Sequence, residues 1–257
     1  MELTKELKNQ IDSYFLNVSA EELYKTLTEK YNLKDLTEND ERFAKLMQNV
    51  VTMFYYGSTV YGTLTDSSDT DIVVIVNDDI NLSEFTNGIW EYHLDNIDYQ
   101  FINKSRFIEM VKAHHIIALE MFSLPESCIL KGSVKEYKRY FTLDKWKLRQ
   151  VISGIASNAY AKAHKKMTVE KDYDLYRGQK SLFHSVRVMI FGIQIAKYGE
   201  IVDYTEANKY WNMIKSMGEC GWDKYKELFK PIINSIRSEL VVLCPKPEEY
   251  IASRKTN

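Results

Sequence analysis

The chain has 257 residues, enough for one domain of ordinary size and a second, smaller one. Its 34 basic and 36 acidic residues nearly balance, and the net charge of −2 argues against a broad cationic surface for nucleic acid. No run approaches the roughly 20 apolar residues that span a membrane, and the charged start at 1–6 lacks a signal-peptide core. Three widely spaced cysteines form neither a disulfide framework nor a zinc site, so we expect buried thiols in a cytoplasmic protein.

Residues 1–48 are predicted to form helices. Ser19 to Glu22 matches a capping box, in which a serine and a glutamate three residues later satisfy backbone N–H groups at a helix start. A second helix is predicted near Glu41 to Gln48. It leads into an apolar run from Val50 to Tyr56, which we interpret as the first strand.

A turn separates this strand from a second apolar run, and acidic residues stand at the start of that run. Gly57 allows close backbone approach, and Ser58 adds a hydroxyl at the predicted start of a helix, where free N–H groups favour anions. Asp69 and Asp71 are two residues apart in the second strand, so both side chains point to one face. Paired carboxylates suit a hard cation such as Mg²⁺. The alternative is a hairpin with a solvated acidic turn, since 66–69 is rich in turn-forming residues.

Gly57-Ser58, a spacer of ten residues and then Asp69-x-Asp71 in an apolar strand resemble the signature of the DNA polymerase β-like nucleotidyltransferase superfamily. The resemblance implies that Asp69 and Asp71 bind the metals that carry a nucleoside triphosphate, and that Gly57 and Ser58 form the phosphate-binding turn. It also implies two Mg²⁺ or Mn²⁺ ions, ATP or another NTP as substrate, and a third carboxylate on a neighbouring strand that helps to activate the attacking hydroxyl.

A β-hairpin with a two-residue turn is predicted over 90–102. Asp98 lies in its second strand, flanked by apolar residues, as the family's third acid does, whereas Asp95 lies in the turn. We therefore favour Asp98 over Asp95 as the third carboxylate and metal ligand. The alternative is a solvated strand position for Asp98.

The segment 107–125 is similar to one branch of the superfamily, a nucleotidyltransferase group common in phages and sometimes encoded beside RNA-repair enzymes. Members of this branch follow the catalytic strand with a helix, a Leu-Glu-containing segment and a proline, here Leu119-Glu120 and Pro125. Where the branch usually has Gly-Asn-Pro, this chain has His114-His115-Ile116. The acceptor of the branch is poorly defined, so the resemblance leaves the acceptor open.

After Gly132 the pattern is helical nearly to the end of the chain. Apolar residues recur at helical spacing in three segments: 146–163, 182–195 and 225–243. We therefore expect an α+β fold, in which a polymerase β-like mixed sheet with helices is followed by a C-terminal helical bundle domain. The expected divisions are N-terminal helices at 1–48, a catalytic domain at 49–131 and the helical domain at 132–257.

This helical half carries a local concentration of positive charge, since ten Lys and Arg residues between 145 and 187 face only three acidic residues. Lys180, His184 and Arg187 fall at i, i+4 and i+7, on one face of a helix. Lys and Arg suit triphosphate oxygens. The Lys-x-x-x-His-x-x-Arg pattern also resembles the phage-associated branch, which implies nucleotide binding by these three residues. The alternative is a solvated basic helix face with His184 in the core.

Together these features predict a metal-dependent nucleotidyltransferase that transfers NMP from an NTP to an acceptor hydroxyl and releases pyrophosphate. An RNA or tRNA end is the leading acceptor, because of the basic helical region and the resemblance to the phage-associated branch. The interleaved tyrosines Tyr160, Tyr173 and Tyr176 fit either stacking on bases or a place in the bundle core. A protein side chain or an antibiotic-like small molecule is the alternative acceptor. A non-catalytic nucleotide-binding or antitoxin-like protein is the alternative class. The sequence leaves the oligomeric state open.

Overall fold

The computed structural model describes residues 38–65, 68–94 and 96–248. These residues form two compact units, of which the first comprises 38–110 with 124–139 and the second comprises 111–123 with 140–248. The capping box predicted at Ser19 to Glu22 lies outside the described residues. The domain boundaries drawn from the sequence stay a prediction.

A five-stranded mixed sheet forms the centre of the first unit. Its strands are β1 Val50–Tyr56, β2 Thr70–Val76, β3 Ile89–Leu94, β4 Ile97–Asn103 and β5 Ile129–Lys131. They lie side by side in the order β3-β4-β2-β1-β5, with β2 parallel to β4 and the other neighbours antiparallel. The predicted hairpin is confirmed, because β3 pairs with β4 up to Leu94 opposite Ile97.

Helices precede the sheet, connect its strands and make up most of the second unit. In chain order they are α1 Glu38–Gln48, α2 Ser58–Tyr61, α3 Lys104–Lys112, α4 Ile116–Glu120, α5 Lys135–Lys138, α6 Lys145–Thr168, α7 Leu175–Tyr198, α8 Asn208–Met217 and α9 Trp222–Leu243. Short 3₁₀ turns lie at Thr86–Gly88, Met121–Ser123, Glu126–Cys128 and Glu170–Asp172. The helix expected near Glu41 to Gln48 is confirmed as α1.

Aromatic side chains cover both faces of the sheet. On one face, Phe43 of α1 is fully buried, and its ring centroid lies 4.6 Å from that of Tyr92 and 5.2 Å from that of Tyr99. On the other face, Phe54 of β1 contacts Phe107 of α3, with ring centroids 6.5 Å apart. Central strands covered on both faces are near-continuously apolar. The run from 72 to 76 in β2, which is buried throughout, has this pattern.

The second unit is built around α7, which buries 16 of its 24 residues. Aspartates start the two long helices, since Asp144 accepts a hydrogen bond from the Lys147 backbone N–H and Asp174 accepts one from that of Arg177, each at 2.9 Å. All three segments with helical periodicity lie within α6, α7 and α9, so these helix predictions are confirmed. The fold is α+β, with a mixed sheet followed by a helical C-terminal region.

The cysteines are mostly buried, as expected. Cys128 and Cys244 are buried, and burial raises the pKa of both thiols. Cys220 is only partly buried, which differs from the expectation because it lies in the connection between α8 and α9. Within the described residues, no helix has the length and apolarity that a membrane crossing requires.

One glycine allows close packing between α6 and α7. A Cβ atom built on Gly192 would lie 2.9 Å from two side-chain carbons of Ile152, whereas a Cβ on Gly154 would meet nothing within 4 Å. We expect Gly192→Ala to lower the free energy of unfolding by about 1–3 kcal/mol through overpacking. Gly154→Ala, the matched control on an exposed helix surface, should raise it by up to about 1 kcal/mol. Urea unfolding followed by circular dichroism measures both, and equal effects of the two substitutions would contradict the packing argument.

Candidate active site

The parallel pairing of β2 with β4 brings two of the predicted carboxylates together. Asp71 is the register partner of Asp98, so the two side chains point to one face of strands about 4.8 Å apart. Asp69 directly precedes β2 and is exposed. The backbone N–H of Thr70 donates to the carbonyl of Asn96 at 2.8 Å, which ties the start of β2 to the hairpin turn. Asp95, the alternative third carboxylate, lies outside the described residues.

The Gly57-Ser58 turn lies directly against this pair. Gly57 follows Tyr56, the β1 partner of Asp71, and has φ +65° and ψ −141°, a conformation that side chains strongly disfavour. A Cβ atom on Gly57 would stand 1.9 Å from Asp71 Oδ2, so only glycine fits beside this carboxylate. Ser58 begins the short helix α2, as predicted, and Gly62 ends it with φ +67°.

Sequence reasoning missed His93, which contacts the third carboxylate. His93 lies opposite Asp98 in the β3–β4 hairpin, and its Nδ1 is 2.5 Å from Asp98 Oδ1. Both side chains are well exposed, His93 at 59% and Asp98 at 47%. A signal for this contact was available, because a hairpin with a two-residue turn at 95–96 places residues 93 and 98 opposite each other.

Asp71 and Asp98 have the donor chemistry of a Mg²⁺ site. Mg²⁺ in phosphoryl-transfer sites is held by one or two carboxylates together with substrate phosphate oxygens and water. Gln100, the next residue on this face of β4, has a buried side-chain oxygen without a hydrogen-bond partner among the described residues. Within that same part of the chain, no three His, Cys, Asp or Glu side chains form a group that could hold a metal by itself. The carboxylate pair therefore fits a site that a metal–nucleotide complex would complete.

The predicted basic residues lie on α7, in the second unit. Lys180 is exposed, and its Nζ stands 5.3 Å from the ring centroid of Tyr176. The Arg187 guanidinium lies over the ring of Phe183, and its Nη2 donates to His184 Nδ1 at 3.1 Å. Because Nδ1 accepts this hydrogen bond, the neutral His184 ring carries its proton on Nε2.

His184 is neutral at physiological pH. Burial, together with the positive charges of Arg187 and Lys162, lowers the pKa of His184 from 6.5 to about 3. Lys162 belongs to α6 and is one of the ten basic residues between 145 and 187. The α6–α7 pair thus presents two cations around a neutral imidazole donor, which is chemistry suited to phosphate oxygens.

Comparison with known proteins bears on the first unit. Residues 36–141 match the family described as nucleotidyltransferase domain. The match covers less than half of the chain and agrees with the resemblance to the polymerase β-like superfamily. The matched segment contains the five strands of the described residues, the Gly57-Ser58 turn and the three aspartates, whereas α7 lies outside it. The phage-associated branch stays a prediction.

Comparisons with curated proteins and with solved structures add little to this family match. No protein of curated function matches the sequence. A solved nucleotidyltransferase-like protein from Exiguobacterium sibiricum 255-15 is 11% identical, over 86% of this chain and 72% of that one, with a TM-score of 0.29. A likeness with this TM-score carries no argument about a shared fold.

Gly57 should be intolerant of any side chain. We expect Gly57→Ala to lower the free energy of unfolding by about 1–3 kcal/mol, because it combines a disfavoured backbone conformation with a clash against Asp71. The control is Gly199→Ala, which also has positive φ but open space around the added methyl group. Urea unfolding of both variants measures the difference. A smaller loss for Gly57→Ala than for Gly199→Ala would show that the turn does not constrain Asp71.

Acidification should destabilise the protein through His184. Its pKa is depressed in the folded state, so the unfolded chain binds more protons between about pH 6.5 and pH 3, and stability falls as the pH falls through this range. In His184→Gln, the slope of the unfolding free energy against pH should decrease by roughly 1 kcal/mol per pH unit between pH 6 and 4. Urea unfolding at several pH values tests this, with His164→Gln, an exposed histidine of α6, as control. An unchanged slope in His184→Gln would refute the assignment.

Proposed function

We propose that this protein is a metal-dependent nucleotidyltransferase that transfers NMP from an NTP to an acceptor hydroxyl. The observation that carries the proposal is the strand register that sets Asp71 beside Asp98, with the Gly57-Ser58 turn against Asp71. Its location within a nucleotidyltransferase domain supports the same chemistry. In the reaction, the acceptor oxygen bonds to the α-phosphorus, the bond to the bridging oxygen breaks and pyrophosphate leaves with that electron pair. The hydroxyl proton passes to solvent.

Each carboxylate has a proposed role in holding metal. Asp69, Asp71 and Asp98 would hold Mg²⁺ or Mn²⁺. A bound cation would offset the mutual repulsion of their negative charges. Two such ions, when bound, would neutralise triphosphate charge and lower the pKa of the acceptor hydroxyl. The backbone of Gly57 and the hydroxyl of Ser58 would support phosphate oxygens, because no side chain at 57 obstructs them.

Lys180, His184 and Arg187 are proposed nucleotide-binding residues. Arg187 offers a planar set of donors for phosphate oxygens, and Lys180 offers a mobile positive charge at an exposed position. His184, which is neutral, can donate a hydrogen bond without bringing a third positive charge next to Arg187 and Lys162.

An RNA end is the proposed acceptor. Tyr173 and Tyr176 are 48% and 46% exposed at the start of α7, next to the basic residues Lys171 and Lys180. Exposed aromatic rings beside cations are the groups that bind single-stranded nucleic acid, because bases stack on the rings and phosphates meet the charges. This surface favours an RNA strand over a protein side chain or a small molecule.

Label transfer tests the proposal. Each α-³²P-NTP would be incubated with Mg²⁺ or Mn²⁺ and the wild-type protein, together with total RNA, a protein extract or the enzyme alone. We expect label in the RNA fraction, reduced at least about 100-fold in Asp69→Ala and in Asp71→Ala because charge stabilisation is lost. Asp79→Asn, which removes an exposed carboxylate beyond the other end of β2, is the matched control and should retain transfer.

The outcomes separate the chemistry from the acceptor. Wild-type turnover in either aspartate variant would contradict the site assignment. Label in protein instead of RNA would contradict the acceptor and leave the chemistry in place. No label in any fraction, with NTP binding retained, would contradict the transferase and favour a nucleotide-binding protein.

A further inference from the structure

His93 makes a specific contact that the proposed chemistry does not yet use. In the β3–β4 hairpin it lies directly across from Asp98, and its Nδ1 is 2.5 Å from Asp98 Oδ1. An ionised carboxylate only accepts hydrogen bonds, so the Nδ1 atom of His93 carries the proton and donates it. A hydrogen bond to a charged acceptor at this distance is short and strong.

A contribution to folding stability does not explain the contact between His93 and Asp98. His93 is 59% exposed and Asp98 is 47% exposed, and ion pairs at such exposure contribute little to folding. Its effect is instead on the carboxylate itself. An exposed aspartate rotates between rotamers, and a donor on one oxygen selects the rotamer in which the carboxylate meets that donor. One oxygen of Asp98 is then occupied, and the other has no hydrogen-bond partner among the described residues.

The choice of Asp98 rotamer matters because of where Asp98 lies in the sheet. It is the register partner of Asp71, and the face that the two share is the one that would hold metal. In the strand order β3-β4-β2, the donor on β3 stands on the side of Asp98 opposite to Asp71. It therefore holds one carboxylate oxygen toward β3 and leaves the other oxygen for a cation on the shared face.

We propose that His93 is a positioning residue, which holds the Asp98 carboxylate in the orientation that binds the divalent cation. The inference rests on the proposed function, since it assigns Asp98 a metal. Hydrogen-bonded partners of metal-binding side chains orient their ligands, and their loss typically costs about 10- to 100-fold in metal affinity or activity. The ring of His93 touches neither metal nor substrate in this role.

Three substitutions of His93 test whether the position of its N–H donor matters, rather than the size or charge of its side chain. His93→Ala removes the donor. His93→Asn retains an N–H at about the position of Nδ1, whereas His93→Gln places its amide at about the position of Nε2. The matched control is Glu91→Gln, which alters an exposed side chain on the same face of β3 that lies opposite Gln100 and not opposite Asp98.

The measurement is Mn²⁺ binding, followed by the electron paramagnetic resonance signal of free Mn²⁺, together with kcat and KM for the NTP at several Mg²⁺ concentrations. We expect His93→Ala to weaken Mn²⁺ binding about 10-fold or more and to lower kcat by a similar factor, with the KM for NTP nearly unchanged. His93→Asn should recover most of both losses, and His93→Gln should not. The Mn²⁺ affinity and kcat of Glu91→Gln should remain within about two-fold of those of the wild type, because its exposed charge is screened and it contacts neither Asp71 nor Asp98.

The outcomes distinguish this inference from the proposed function. Active wild-type protein with unchanged Mn²⁺ affinity and kcat in His93→Ala would overturn the role of His93 alone. Equal recovery by His93→Asn and His93→Gln would also overturn it, because the position of the donor would then not matter. Wild-type protein that neither binds Mn²⁺ nor transfers NMP would overturn the proposed function, and the positioning role with it.

Discussion

The parallel register of β2 with β4 is the constraint on which the candidate site depends. Parallel pairing of β2 with β4 sets Asp71 and Asp98 side by side on one face, where like charges repel each other. The two carboxylates have different neighbours. Gly57 contributes no side chain, so its turn approaches Asp71 closely, and His93 donates a hydrogen bond to Asp98. The pair is also only partly buried, which leaves room for water or a cation.

The rest of the sheet compensates for this local cost. Past Asp71, β2 is buried from Ile72 to Val76, and Phe43 and Phe107 cover the two faces of the sheet through aromatic contacts. Apolar burial of this kind contributes roughly 25 cal/mol per Å², so a few large side chains outweigh one unfavourable charge pair. Charge is therefore tolerated at the start of the strands because the middle of the same strands is strongly apolar. The same division holds in the second unit, where α7 buries 16 of its 24 residues yet carries Lys180 and Arg187 at less buried positions.

Much of the local structure could be predicted because local patterns determine it. The two-residue turn predicted the β3–β4 hairpin, and the hairpin predicted Asp98 in a strand. Helical spacing of apolar residues predicted α6, α7 and α9. His93 matches no motif and was not predicted, although the same hairpin register places it opposite Asp98. The role of Lys162 was not predicted for a different reason. Its proximity to His184 depends on how α6 packs against α7, which no spacing along the chain reveals.

By itself the sequence predicted the strands β1 to β4, the helices α1, α6, α7 and α9, the Gly57-Ser58 turn and the candidate carboxylates, because periodicity and turn chemistry act over a few residues. Only the tertiary structure decided that β2 pairs in parallel with β4, which strand order along the chain does not specify. That register makes Asp71 and Asp98 neighbours, brings Gly57 against Asp71 and leaves His93 on the outer side of Asp98. The physical reason is that a site made from separate strands exists only when long-range pairing aligns them, and pairing is selected by burial of the whole sheet rather than by any one motif.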